Sequence, residues 1–92
     1  MKIYISGEIS SCLDTYKEVF KKKQEELEQK GHVVINPSAI PLESESSSYL
    51  HICLAMIDES EAIYMLDGFD DSKKALVEML YADYQGKQLL FD

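Results

Sequence analysis

The strongest constraint on the fold of this chain is the alternation of short apolar runs with longer segments of helical periodicity. The apolar runs cover residues 2–5, 32–35, 62–66 and 88–91, and the helical segments cover about 13–30, 49–59 and 73–85. Strands that alternate with helices pair in parallel through right-handed crossovers. We therefore predict a three-layer α/β fold, in which a four-stranded parallel sheet of order 2-1-3-4 carries helices on both faces, as in half of a Rossmann-like or flavodoxin-like domain.

The ends of these segments carry matching boundary signals. Gly31 and Gly86 follow the first and third helical segments, and Ser72 precedes the third, as expected of helix caps. Asn36 and Pro37 end the second strand, because proline cannot continue a central strand. The nearly continuous apolar run 62–66 is typical of a strand buried on both faces.

Length and charge restrict the classes of function. A chain of 92 residues predicts one domain, 1–92. Nine Lys and Arg against seventeen Asp and Glu give a net charge of −8, which argues against nucleic-acid polymers and anionic membranes as partners. A small phosphorylated ligand held by backbone N–H groups stays compatible with this charge.

Location and cofactors are predicted from what the sequence lacks. It contains neither an apolar run of about 18 residues nor a signal-peptide pattern. Cys12 and Cys53 are too few and too far apart for a disulfide framework or a zinc site. We therefore expect a cytoplasmic protein with reduced thiols and with no metal or other cofactor.

The predicted strand order places the ligand-binding edge of the sheet. The switch point lies between strands 1 and 3, and ligands in such sheets bind beyond the carboxyl ends of those strands. Ser6, Gly7 and Glu8 should therefore lie opposite residues 67–72.

Three features converge at that edge. The turn at Ser6-Gly7 can turn backbone N–H groups towards an anion or a sugar, and Ser72 caps a helix whose first turn favours a phosphate. Glu78 falls beside Ala75 and Ala82 on the border of the apolar face, and these small neighbours leave room for a ligand. A plain turn, a plain cap and an ordinary surface glutamate are the alternative interpretations.

Asp67, Asp70 and Asp71 form an acidic cluster after the third strand. It is either a solvated loop that stabilises the helix start or the source of a general acid or base that faces Glu78. Metal binding by these carboxylates is weakly supported, because no histidine or second acidic loop accompanies them.

The order and spacing of short motifs resemble a known family. The motifs are residues 1–7 (MKIYISG), Gly31, 34–37 (VINP), 62–66 (AIYML), Gly68-Phe69, Ser72, Ala75, Glu78, Ala82 and Gly86-Lys87. Over nearly its whole length the chain resembles the small proteins related to nucleoside 2-deoxyribosyltransferases, in particular a short, DUF4406-like branch found in bacteria and their phages.

The resemblance implies a specific chemistry. Glu78 would attack C1′ of a nucleoside or nucleotide, a glycosyl-enzyme intermediate would form, and a second base or water would take the sugar. Tyr4 would orient the carboxylate, and Asp67 or Asp71 would protonate the leaving base. The implied substrate-binding residues are Ser6, Gly7, Asn36, Gly68 and Ser72.

The chain departs from the family pattern at several positions. Glu8 and Asp67 stand where relatives often have proline, and Phe69 replaces a tryptophan. Lys74 replaces a small residue and would either clash with a ligand or contact a phosphate. Cys53 stands where relatives carry an aspartate that faces the site, so a natural proton donor is missing.

Several functions are compatible with these residues. The first is an enzyme of N-glycosidic bonds with Glu78 as nucleophile, and the second is a nucleotide- or nucleotide-sugar-binding module that has lost catalysis. A phosphorylation receiver built on Asp67 lacks its acidic pair and its lysine, and a pure oligomerisation module needs no pocket. Because Tyr81 and Tyr84 leave helix 3 apolar on much of its circumference, we expect a homodimer or higher homo-oligomer.

Overall fold

The computed structural model describes residues 1–8, 15–40 and 48–92 and has the predicted α/β architecture. The strands are β1 (Lys2–Ser6), β2 (Val33–Ile35), β3 (Ala62–Met65) and β4 (Gln88–Phe91), and the helices are α1 (Tyr16–Gln29), α2 (Tyr49–Asp58) and α3 (Lys73–Tyr84). Two single 3-10 turns, Pro37–Ala39 and Phe69–Asp71, follow β2 and β3. Cys12, the predicted start of the first helix and most of the serine-rich stretch 44–48 lie outside the described residues.

All four strands are parallel, in the order β2-β1-β3-β4. This confirms the predicted order 2-1-3-4. In the register between β1 and β3, Tyr4 pairs with Ile63 and Ser6 pairs with Met65. The switch point therefore lies at the carboxyl ends of β1 and β3, immediately after Ser6 and Met65.

The alternation of side chains along β1 separates two layers of the core. Ser6 faces α3, because its hydroxyl contacts Glu78 of that helix. Ile5 points to the opposite face together with Tyr64, its partner in β3, whose hydroxyl contacts Lys23 of α1. Helices thus cover both faces of the sheet, with α1 on one side and the packed pair α2 and α3 on the other.

The outer side of α3 carries apolar side chains that are exposed. Val77, Leu80 and Tyr84 are 44%, 64% and 87% exposed. They lie three and four residues apart and therefore share one side of the helix, opposite the buried Ala75, Glu78 and Ala82. None of the helices in the described part of the chain is long and apolar enough to cross a membrane.

Candidate active site

The carboxylate of Glu78 lies buried at the predicted switch point. Its residue is only 1% exposed, and the neighbouring Ala75 and Ala82 on α3 are equally buried. The Oγ of Ser6, at the carboxyl end of β1, donates a hydrogen bond of 2.7 Å to Oε1 of Glu78. Glu78 therefore lies on the side of α3 that faces the sheet, together with Ala75 and Ala82.

Lys74 engages the second oxygen of this carboxylate. Its ammonium group donates to Oε2 of Glu78 and lies 4.7 Å from the centroid of the Tyr49 ring. One turn of α3 separates the two residues, the spacing at which a lysine and a glutamate meet on one helix face. Ser6 and Lys74 thus bind the two carboxylate oxygens of Glu78. The pairing of Lys74 with Glu78 was not predicted, although the i,i+4 spacing of the two residues is a signal for it.

Tyr4 and Cys53 complete the buried cluster. The Tyr4 hydroxyl has no hydrogen-bond partner among the described residues. Burial, and then the negative charge of Glu78, raise the pKa of Tyr4 well above its usual range. Burial also raises the pKa of the Cys53 thiol, an effect that Tyr4 and Lys74 partly oppose. Ser6 is the residue whose hydroxyl holds the carboxylate, and an orienting role for Tyr4 stays a prediction.

The predicted acidic residues border a separate cavity on the α1 side of the same edge. This cavity has a volume of about 270 Å³, and Asp67, Gly68 and Asp71 line it together with Glu8 and Tyr16. Asp67 and Asp71 are exposed to solvent. Within the described ranges, no three His, Cys, Asp or Glu side chains are grouped so that they could hold a metal ion. A role of Asp67 or Asp71 as a proton donor stays a prediction.

Asp92 fixes the backbone that carries Asp67. Its Oδ2 accepts a hydrogen bond of 3.0 Å from the Asp67 N–H, and its own N–H donates to the Met65 carbonyl. Its Oδ1 lies 3.0 Å from both the Lys23 ammonium and the Tyr64 hydroxyl. Burial alone would raise the pKa of Asp92, but these donors lower it below its ordinary value. The sequence carries no signal for this role, because Asp92 follows the last strand as an ordinary acidic residue.

Two glycines shape the edge of the sheet. A Cβ at Gly7 would lie 3.1 Å from two atoms of the Leu66 side chain, so the turn after β1 approaches the end of β3 closely. Gly68 has a φ of 87°, in the left-handed region that favours glycine. The local structure thus favours glycine at both positions, by close packing at Gly7 and by backbone conformation at Gly68, and contacts of their N–H groups with a substrate stay predictions.

The other two predicted substrate-binding residues have partners within the chain. The Oγ of Ser72 accepts from the Ala75 N–H at 3.1 Å, which confirms Ser72 as the N-cap of α3. The side-chain oxygen Oδ1 of Asn36 accepts hydrogen bonds from the N–H and the hydroxyl of Ser38, and its side-chain Nδ2 donates to Gln24. Their side chains hold local structure, and a role in substrate binding stays a prediction for each.

Solved structures show the same fold as this chain. One is the 2-deoxyribosyltransferase from the psychrotolerant bacterium Bacillus psychrosaccharolyticus, with a TM-score of 0.73 at 20% identity, covering 99% of this chain and 71% of the other. Another is the 2-desoxiribosyltransferase from Leishmania mexicana, with a TM-score of 0.77 at 20% identity, covering 98% of this chain and 62% of the other. At this identity the likeness establishes the fold alone.

Sequence comparison places the chain in a family. No curated protein sequence matches it significantly. The family model described as "Domain of unknown function (DUF4406)" matches residues 1–91, which is nearly the whole chain. The protein therefore belongs to the DUF4406 family, within the fold of the 2-deoxyribosyltransferases.

Proposed function

We propose that this protein cleaves the N-glycosidic bond of small nucleosides or nucleotides, with Glu78 as the nucleophile. The observation that carries the proposal is the buried Glu78 carboxylate, which accepts a hydrogen bond from Ser6 at the switch point between β1 and β3. A glutamate is almost never fully buried unless it is paired, and a buried carboxylate at the ligand-binding edge of such a sheet is a candidate for chemistry. The fold shared with 2-deoxyribosyltransferases supports the same chemistry.

The reaction would proceed in two displacements. A Glu78 oxygen forms a bond to C1′ while the C1′–N bond breaks, and the bonding electron pair leaves with the base nitrogen. The departing base takes a proton from an acid at the edge of the sheet, for which Asp67 and Asp71 are the candidates. In the second step a nitrogen of another base, or water, bonds to C1′ as the C1′–O bond to Glu78 breaks, and its proton returns to the acid that was deprotonated in the first step.

The surrounding residues suit this sequence of steps. The Ser6 hydroxyl fixes one carboxylate oxygen and leaves lone pairs on both oxygens for bonding to carbon. Ser6, Gly7, Gly68 and Ser72 surround the carboxyl ends of β1 and β3, where the sugar and any phosphate would lie.

A second candidate function is a binding module for nucleotides or nucleotide sugars without turnover. The contact between Lys74 and Glu78 favours it, because an ammonium group on a carboxylate oxygen reduces the nucleophilicity of that oxygen. Cys53 favours it too, because the thiol replaces the carboxylic acid that relatives are expected to carry. Binding would then use the same edge of the sheet.

Base exchange separates the two candidates. The protein is incubated with a 2′-deoxynucleoside or its 5′-monophosphate and a second free base, and products are followed by chromatography. Glu78→Gln should abolish product formation. The control is Glu61→Gln, which should leave product formation unchanged. The Glu61 carboxylate accepts a hydrogen bond from the Lys2 N–H at the amino ends of the strands, far from the candidate site. Thermal stabilisation by the nucleotide with no product would favour the binding module. If the protein forms no product and is not stabilised by the nucleotide, both candidate functions are contradicted.

We also propose that a second copy of the chain covers the outer side of α3. Val77, Leu80 and Tyr84 form an apolar stripe there, and burial of such a stripe stabilises an assembly. Light scattering should show a dimer or larger species for the unchanged protein and a smaller species for Leu80→Glu. A monomer in both cases would contradict this proposal.

A further inference from the structure

We propose that Lys74 masks Glu78 and that a phosphate ester on the substrate unmasks it, which makes the protein selective for phosphorylated nucleosides. The inference rests on the proposed function of Glu78 and adds to it the substrate class. Lys74 would act as the specificity-determining residue, by exchanging the carboxylate for the phosphate.

The masking contact is built from three groups. The Lys74 ammonium donates to Oε2 of Glu78 and lies over the Tyr49 ring at 4.7 Å. The Tyr49 hydroxyl donates to the Pro37 carbonyl at 3.3 Å, which fixes the ring. The Lys74 side chain is 24% exposed while that of Glu78 is 1% exposed, so the ammonium lies between the carboxylate and the surface. An electrophilic carbon that approached Oε2 from this side would meet the ammonium first.

The energetics of a buried carboxylate determine what can move Lys74. Removal of one partner from a buried ion pair leaves an uncompensated charge and is strongly unfavourable. A neutral nucleoside offers the ammonium only uncharged hydrogen-bond acceptors and no negative charge in exchange. A phosphate ester offers up to two negative charges and three strong acceptor oxygens, so an ammonium group that turns towards it retains a charged partner.

The flexible lysine stem permits the exchange. Four methylene groups separate the Lys74 ammonium from its backbone, and three donor hydrogens allow it to contact two acceptors at once. The Tyr4 hydroxyl has no hydrogen-bond partner among the described residues and is close enough to Glu78 to respond to its charge. We expect it to donate to the carboxylate when the ammonium turns away.

The adjacent lysine provides a matched control. Lys73 precedes Lys74 at the start of α3, is exposed, and forms no ion pair within the described part of the chain. Lys73→Met and Lys74→Met each remove one positive charge, and the two substituted positions are adjacent in the sequence. Only Lys74→Met removes the cation from Glu78.

The first experiment compares substrates. The rate constant kcat/KM for release of the base is measured for a 2′-deoxynucleoside and for its 5′-monophosphate, with the unchanged protein, Lys74→Met and Lys73→Met. The unchanged protein should prefer the monophosphate by about tenfold or more, the factor expected of one charge-assisted hydrogen bond. Lys74→Met should lose this preference and gain activity on the nucleoside, and Lys73→Met should retain it. An equal preference in all three proteins would overturn the inference.

The second experiment does not depend on turnover. The ε-methylene protons of a lysine above an aromatic ring resonate upfield, so NMR reports whether Lys74 stays on Tyr49. Titration with 2-deoxyribose 5-phosphate should move this resonance towards that of free lysines, whereas 2-deoxyribose should not.

The two experiments separate the inference from the function on which it rests. A moving resonance without any turnover would support the unmasking and refute Glu78 catalysis. Turnover without phosphate preference and without a moving resonance would refute the unmasking alone. The absence of both turnover and movement would refute both.

Discussion

Replacement of Ser6 by alanine should destabilise the protein by about 2 kcal/mol, the usual cost of losing one hydrogen bond to a charged group. The Ser6 hydroxyl donates to Oε1 of Glu78 at 2.7 Å, and both residues are 99% buried. Water therefore has little access to the oxygen that loses its donor. For a domain of this size the change corresponds to a fall in Tm of roughly 8–16 °C.

A second buried serine provides the control for this substitution. Ser60 is 3% exposed and follows the end of α2, and its Oγ donates to the uncharged backbone carbonyl of Met56 in the last turn of that helix. Ser60→Ala removes an equal number of atoms but no contact with a charge, so we expect a cost of about 1 kcal/mol or less. Urea unfolding followed by circular dichroism measures both variants under the same conditions.

A double-mutant cycle tests the physical reason for the difference. If the charge of Glu78 makes the Ser6 contact strong, Ser6→Ala should cost at least about 1 kcal/mol less in a Glu78→Gln background than in the unchanged protein. The reasoning is refuted if Ser6→Ala costs no more than Ser60→Ala and shows no coupling to Glu78.

Two further predictions concern the edge that carries Asp67. Because the folded protein lowers the pKa of Asp92, its contribution to stability is present above the unfolded pKa of about 3.9 and is lost as the pH falls through the lower folded value. Urea midpoints of the unchanged protein and Asp92→Asn should therefore converge below about pH 4, and a difference that stays constant to about pH 2.5 would contradict this. At Gly68, where φ is 87°, Gly68→Ala should cost about 1 kcal/mol and Gly68→Asn less, as measured by thermal unfolding. Equal costs would exclude backbone strain as the cause.

Much of the fold follows from patterns along the chain. The alternation of apolar strands and amphipathic helices determines the parallel sheet, and the handedness of the crossovers limits its order. The capping role of Ser72 depends on local spacing alone and was predicted correctly, whereas the spacing put Glu78 on the border of the apolar face and the structure buries it fully. Such features are accessible from sequence because the residues that produce them are close together.

Contacts between distant elements were not accessible in this way. The contact between Ser6 and Glu78 depends on how closely α3 approaches β1. The hydrogen bond from the Asp67 N–H to the Asp92 carboxylate depends on the register of β4 with β3. The Lys74 pairing is different, because its spacing was visible, yet the same spacing also occurs between exposed residues on a helix surface. The burial of Glu78 and the Tyr49 ring beside the ammonium distinguish this pair from an exposed one.

The two halves of the candidate site come from opposite regions of the chain, since 72 positions separate Ser6 from Glu78. Closing a contact of such long range costs more chain entropy than closing a local one, so we expect it to form after the local helices. Partly folded chains would hold α3 without β1 beside it, and their Glu78 would be an ordinary hydrated carboxylate. If Glu78 is the nucleophile as proposed, the complete sheet is a condition for activity, and incompletely folded molecules should be inert towards nucleosides.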